Sequence, residues 1–454
     1  MKKLFIGLLV IILIGAVFSC GTGKDNEEKK IPTSIDSTEA QNINTKNDSN
    51  TQNKAPERIY KNGIVFESST DESYTVKGVL DKNLEEAIIP EEINGFPVKS
   101  ISSSAFSECK NLYKVYIPSE IVRIGDKAFY ECTNLSELVF DAKCCTDLNT
   151  DNRSFYNAGK DAKGFHVIIR ADVDRIPGRL FSPEENKFTD TGEGNGHGAY
   201  ITHIEFEDGC SCKEIGKYAF YCNEFLREIK LPESTTKIGE YAFAGCVNLS
   251  SLSLSQNMTI IPAGCLKDCK ALNNVIIPDG VTSIENLAFS GCIGLQIIAI
   301  PPSVASIGYK AFRECDSVKE IIVPDSVTTI GREAFSLCYS LETVKLPVNL
   351  TEIEEGLVAG SQKLKTINIP EGVISIGEMA FSATRITSIR IPESVTSIGK
   401  MAFNCFDLSE VVFADARGWY AGRDYMEDSR LLDAKTAAAC LSNSYKGVAW
   451  IKKE

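Results

Sequence analysis

Histidine is almost missing from this sequence. Its 454 residues include only His166, His197 and His203. HExxH, GxSxG, a phosphate-binding P-loop and CxxC are all absent, so the common signatures of metalloprotease, esterase, nucleotide hydrolase and dithiol redox chemistry have no residues to carry them. Positive charge is also in deficit. The net charge is −13 with pI near 5.0, which argues against nucleic acid as the main partner. Beyond the first twenty residues, no stretch is long and apolar enough to span a bilayer.

The beginning of the chain has the layout of an export signal. Met1-Lys2-Lys3 is a short basic region, and Leu4 to Phe18 is an almost unbroken apolar run. Val17-Phe18-Ser19-Cys20-Gly21 follows, with an aliphatic residue, a small residue and then Cys. This resembles a bacterial lipobox, which implies removal of residues 1–19 and lipidation of Cys20 on the mature N-terminus. An ordinary signal with an incidental Cys is the alternative. Residues 20–57 are polar and nearly devoid of large apolar side chains. They are expected to form a disordered tether reaching on the order of 30 Å, or else a processed propeptide.

What the chain has in abundance is period. Ile215, Ile238, Ile261, Ile284, Ile307, Ile330, Ile353 and Ile376 each stand 23 residues after the last, and Ile398 follows after 22. Ile101 and Ile124 form an earlier pair. A fixed period of this length predicts a solenoid of short stacked units, not two to four globular domains. In one unit, Leu341, Val344 and Leu346 read as a strand with three residues pointing inward, while Glu342, Thr343 and Lys345 point out. Pro347 ends it. An Ile-Gly pair then supplies a second extended piece and a close backbone approach, and Ala-Phe, as in Ala311-Phe312, places a large ring inside. Some eleven rungs about 4.8 Å apart would make an array on the order of 50 Å long.

Most of the 16 cysteines share the period. Cys109, Cys132, Cys222, Cys246, Cys269, Cys292, Cys315, Cys338 and Cys405 fall two or three residues after the repeat Phe or its Leu equivalent. They are expected to be buried, reduced thiols that meet backbone groups at a bend. Disulfides running along the stack would require these equivalent rungs to pair off in twos.

The two ends and one interior stretch depart from the pattern. Residues 58–100 read as an N-terminal cap, with a hairpin around Asp71-Glu72 leading into the first unit. The repeats occupy 101–413, interrupted at about 141–212. There, two inserted loops, about 141–164 and 183–199, are expected to flank one surviving rung at Arg175 to Phe181. Residues 414–454 hold both Trp residues, a helical run AKTAAACL and a last strand, and read as the C-terminal cap.

The pattern IPxxVxxIGxxAFxxCxxLxxI, carried here by IPDGVTSIENLAFSGCIGLQII and IPPSVASIGYKAFRECDSVKEI, resembles the BspA-like, or treponemal, branch of leucine-rich repeats. The resemblance covers roughly residues 59–413. It implies a leucine-rich-repeat solenoid with a parallel β-ladder. The lipobox and the tail further resemble bacterial surface lipoproteins, which implies lipid anchoring in the outer membrane. Relatives are associated with attachment to host matrix proteins and to other bacteria, so the resemblance implies protein partners on host or bacterial surfaces.

Candidate binding residues follow from the strand pattern. The outward position between the last two core residues of each strand forms a column: Tyr116, Val139, then Lys230, Ser253, Ile276, Ala299, Ile322, Lys345, Asn368, Arg390 and Val412. Ile276, Ala299 and Ile322, with Ile297 beside them, make an apolar patch between basic residues, the composition of a protein contact. β-Propensity alone would also place Ile there. A second cluster comprises the three His with Cys144, Cys145, Cys210 and Cys212. Its open readings are a loop with reduced thiols, a disulfide joining Cys144 or Cys145 to Cys210 or Cys212, and a metal site. The sequence supports no catalytic residue, no metal and no cofactor. It points to an exported, surface-anchored adhesion module. An envelope scaffold binding bacterial components, or a metal-dependent activity in the interruption, would be the alternatives.

Overall fold

Successive turns of this chain stack through three strips of backbone contact, and each strip corresponds to one segment of the repeat. The computed structural model describes residues 56–183 and 198–453. The stretches expected to be an export signal and a tether, with Cys20, fall outside them except for residues 56 and 57, as do His197 and most of the expected 183–199 loop.

The first strip is a parallel ladder built from the LxxVxL segments. Glu320–Ile322 pairs with Thr343–Lys345, matching Ile321 with Val344 and Ile322 with Lys345. Alternation puts Val344 inside and leaves Thr343 and Lys345 exposed. Pro347 follows and ends the donor row. The second strip pairs the short Ser-Ile or Thr-Ile segments, with Ile307 level with Ile330. The third is the Ala-Phe turn, where the Phe312 amide donates to the Ala334 carbonyl at 2.9 Å. Every equivalent residue therefore lies above its counterpart, and one apolar interior runs through about 14 turns.

The interior carries two columns of its own. Repeat Phe rings stack face to face, with centroids 5.1 Å apart for Phe289 and Phe312 and 5.2 Å for Phe381 and Phe403. Beside them, seven of the nine periodic Cys donate the thiol to the carbonyl of the Phe, or of Leu266, one turn back. Cys246 reaches Phe220, and Cys338 reaches Phe312, both at 3.2 Å. Ser361 takes the same place with its hydroxyl on the Phe335 carbonyl at 3.2 Å. The need at this slot is a small buried donor, and both residue types meet it.

Two turns depart from the pattern without leaving the stack. Leu266 and Val358 replace the Phe, and the ring column is interrupted there. In both turns the residue two places before them is Gly, at Gly264 and Gly356, with φ of 59° and 62°. The same slot elsewhere forces Lys310 and Glu333 into left-handed backbone at φ of 53° and 55°.

The interruption proves to be mostly solenoid. Two rungs, not one, lie between Ile124 and Ile215. Phe155, expected in an inserted loop, is buried in the ring column, 4.9 Å from Phe129 and 5.1 Å from Phe181. Leu148 fills the Ile slot, and the Thr146 amide bonds back to the Val122 carbonyl. Phe165–Ile169 and Ile201–Phe206 then continue the long ladder from Glu137–Phe140 in parallel. These turns run to 24, 28 and 39 residues. The extra length hid these rungs from a 23-residue template.

At the N-terminal end, Arg58–Lys61, Ile64–Ser68 and Tyr74–Val79 form antiparallel hairpins, and the last of them pairs in parallel with Phe96–Ile101. At the other end, Trp450–Lys452 runs antiparallel to Ser397–Ile398, and Trp419 and Trp450 are buried over the final turn. No helix among the described residues is long and apolar enough to cross a membrane.

The Ile-Gly pair shows why turns of this kind need glycine. A Cβ on Gly331 would lie 2.5 Å from the Tyr309 backbone nitrogen one turn back, where no side chain can move aside. Gly331→Ala is expected to lower stability by about 1–3 kcal/mol in chemical denaturation. Gly447→Ala, with no atom within 4 Å of the new methyl, should leave the midpoint unchanged.

Candidate binding face and the histidine pair

Most outward residues of the long ladder are free of core packing, and they vary in chemistry from turn to turn. Lys230, Ser253, Ile276, Ala299, Ile322, Lys345, Asn368, Arg390 and Val412 are all exposed. They lie in one line, as the registers Lys230 with Ser253, Ala299 with Ile322 and Arg390 with Val412 show. Two expected members differ. Val139 is buried, and Tyr116 is half-buried with its hydroxyl donating to Asp141 at 3.0 Å. The column also gains Ile168 and Glu205 between Val139 and Lys230, residues concealed by the irregular turns.

Ile276 is 71% exposed, Ile297 61% and Ile322 50%, around the exposed Ala299. Lys230 and Lys345 flank this patch and make no ion pair among the described residues. Arg390, further along, pairs with Glu371 at 2.5 Å. Lys345, Val348, Asn368 and Glu371 border a shallow recess next to the patch.

A second feature lies on the same face. Phe165–Ile169 and Ile201–Phe206 pair with a one-residue bulge after Phe165, and this brings His166 level with His203. The imidazoles stand 4.8 Å apart. Glu205, two residues on and therefore on the same face, sets a carboxylate oxygen 3.3 Å from His166 Nε2. That approach lacks hydrogen-bond direction, so the buried Nε2 has no hydrogen-bond partner. Burial, then the neighbouring His203, pushes the His166 pKa below the ordinary imidazole range, against Glu205 and Glu137.

A family profile described as BspA type leucine-rich repeat region matches residues 81–186, 197–319 and 305–417, in six copies. The chain belongs to the BspA-type leucine-rich repeat family. Its structure is similar to that of a leucine-rich repeat protein from Bacteroides ovatus, with 23% identity over 77% of this chain and 87% of that one and a TM-score of 0.53. A leucine rich cell surface protein from Faecalibacterium prausnitzii aligns at 23% identity over 80% and 96% of the two chains, with a TM-score of 0.41. The pneumococcal vaccine antigen PcpA aligns at 18% identity over 80% and 88%, with a TM-score of 0.42. No curated protein sequence matches this one.

The BspA-type register also places the four cysteines at the interruption. Cys145 and Cys212 occupy the Val slot of VxxIG and are buried in the core. They sit two turns apart, about 10 Å at ladder spacing, beyond the roughly 7 Å between Cα atoms that a disulfide can bridge. Cys210 donates to the Arg170 carbonyl at 3.5 Å, and Cys144 is exposed. All fifteen cysteines among the described residues are free. Among the described residues, His166 and His203 lie on the outward face and Cys145 and Cys212 in the core, so these four do not meet. Burial pushes the Cys145 and Cys212 thiols up to about 12. In the folded protein at pH 8, a thiol reagent should modify Cys144 quickly and the core thiols only after unfolding. Cys144→Ser should remove one fast equivalent. Thiol counts in denaturant should be equal with and without prior reduction.

Proposed function

We propose that this repeat protein is an exported binding module that grips a protein ligand with the exposed side of its long ladder. The observation that carries the reading is the patch of Ile276, Ile297, Ala299 and Ile322. Three large β-branched residues stand mostly in water on consecutive turns of a body whose interior is otherwise filled. Covering one such side chain fully contributes about 1.5–3 kcal/mol, and the flanking lysines supply orientation more than affinity. Membership of a BspA-type repeat family supports protein binding over catalysis. The N-terminal export signal and Cys20 support a lipid-anchored position at the bacterial cell surface, with adhesion to host matrix proteins or other bacteria as the role.

Ile276→Glu combined with Ile322→Glu should abolish capture of immobilised matrix proteins or partner cells, while the thermal midpoint stays within about 2 °C because both sites are exposed. Attachment equal to wild type would discard the patch. Separately, Cys20→Ala should lose incorporation of radiolabelled fatty acid. External protease should cleave the wild-type protein on intact cells, and protection would favour an envelope scaffold facing inward.

A further inference from the structure

The histidine pair is absorbed neither by the core nor by the apolar patch. His166, His203 and Glu205 each present one donor atom, and these atoms all lie within 4.8 Å of one another. They sit on adjacent hydrogen-bonded strands, so the ladder fixes the backbone beneath them. The bulge at Phe165 sets the register that levels the two imidazoles. Without it, Thr202 would stand beside His166. A tetrahedral ion about 2.0–2.2 Å from nitrogen and oxygen donors requires them about 3.5 Å apart. His166 Nε2 and the Glu205 carboxylate already stand at 3.3 Å. His203 is exposed and has room to rotate its ring into the remaining position. The orphaned lone-pair site on His166 Nε2 is the independent sign that the arrangement lacks a partner.

We propose that His166, His203 and Glu205 form a binding site for a divalent transition metal of the zinc class. Two imidazoles and one carboxylate suit zinc, and imidazole does not suit calcium or magnesium. Three protein ligands leave one coordination position open, and here it opens toward solvent on the outward side of the ladder. Glu137, level with His166, is held by Lys114 at 2.8 Å. It adds negative charge beside the site while staying outside the donor set. The site is separate from the apolar patch.

The test is calorimetric titration of zinc chloride into the untagged, reduced full chain, with cobalt absorption as a second readout. One saturable site is expected. Losing even an outer-shell partner costs such sites roughly 10–100-fold in affinity, so His203→Ala should weaken binding by at least about 100-fold. Glu205→Gln, which keeps the side-chain shape at an exposed position, should also weaken it. Cys144→Ser and the Ile276→Glu, Ile322→Glu pair should bind as wild type does. The proposal is overturned if wild type shows no saturable site, if either site variant binds normally, or if Cys144→Ser alone removes binding.

Discussion

Everything in this protein rests on backbone contact between turns at one spacing. At the Ile-Gly strip the approach is so close that a single Cβ would collide with the peptide of the preceding turn, as at Gly331 and Tyr309. The same contact recurs at Gly239 against Lys217 and at Gly399 against Glu378. Parallel pairing then delivers the same residue type to the same height in every turn. Ring lies on ring, thiol on carbonyl, and Ile on Ile. No turn could bury its own apolar face, so cohesion is a property of neighbours.

That constraint explains which departures the chain tolerates. Leu266 and Val358 stand in for Phe because the slot requires apolar volume, and Gly264 and Gly356 relieve the left-handed backbone beside them. Ser361 stands in for Cys because the Phe335 carbonyl requires a donor. Turns of 24 to 39 residues persist because the strands on either side of them still pair in register. Loop length is thermodynamically cheap by comparison with a lost strip.

The outward ladder positions answer to none of these demands, and chemistry unrelated to folding collects there. The exposed isoleucines and the histidine pair share one face but differ in character. The first is a smooth apolar surface suited to covering by another protein. The second is a polar triad on two consecutive strands, set by one bulge. A rigid ladder suits both, because it holds side chains on separate turns in fixed relation without help from loops.

The sequence alone determined the repeat class, the period, the inward place of the Phe rings and the outward place of Lys230 through Arg390, because a spacing of 23 and an alternation of two are local arithmetic. It also marked the cysteine column, since those residues share the period. Tertiary structure decided what happens where the arithmetic fails. Phe155 enters the ring column and Cys145 fills a Val slot, although neither lies at the repeat spacing, and Val139 is covered although it stands in the outward column. It also decided that His166 stands beside His203, 37 positions on. The reason is that stacking is set by contact between neighbouring turns, and contact tolerates surplus chain between its anchor points, whereas a periodic reading of the sequence does not.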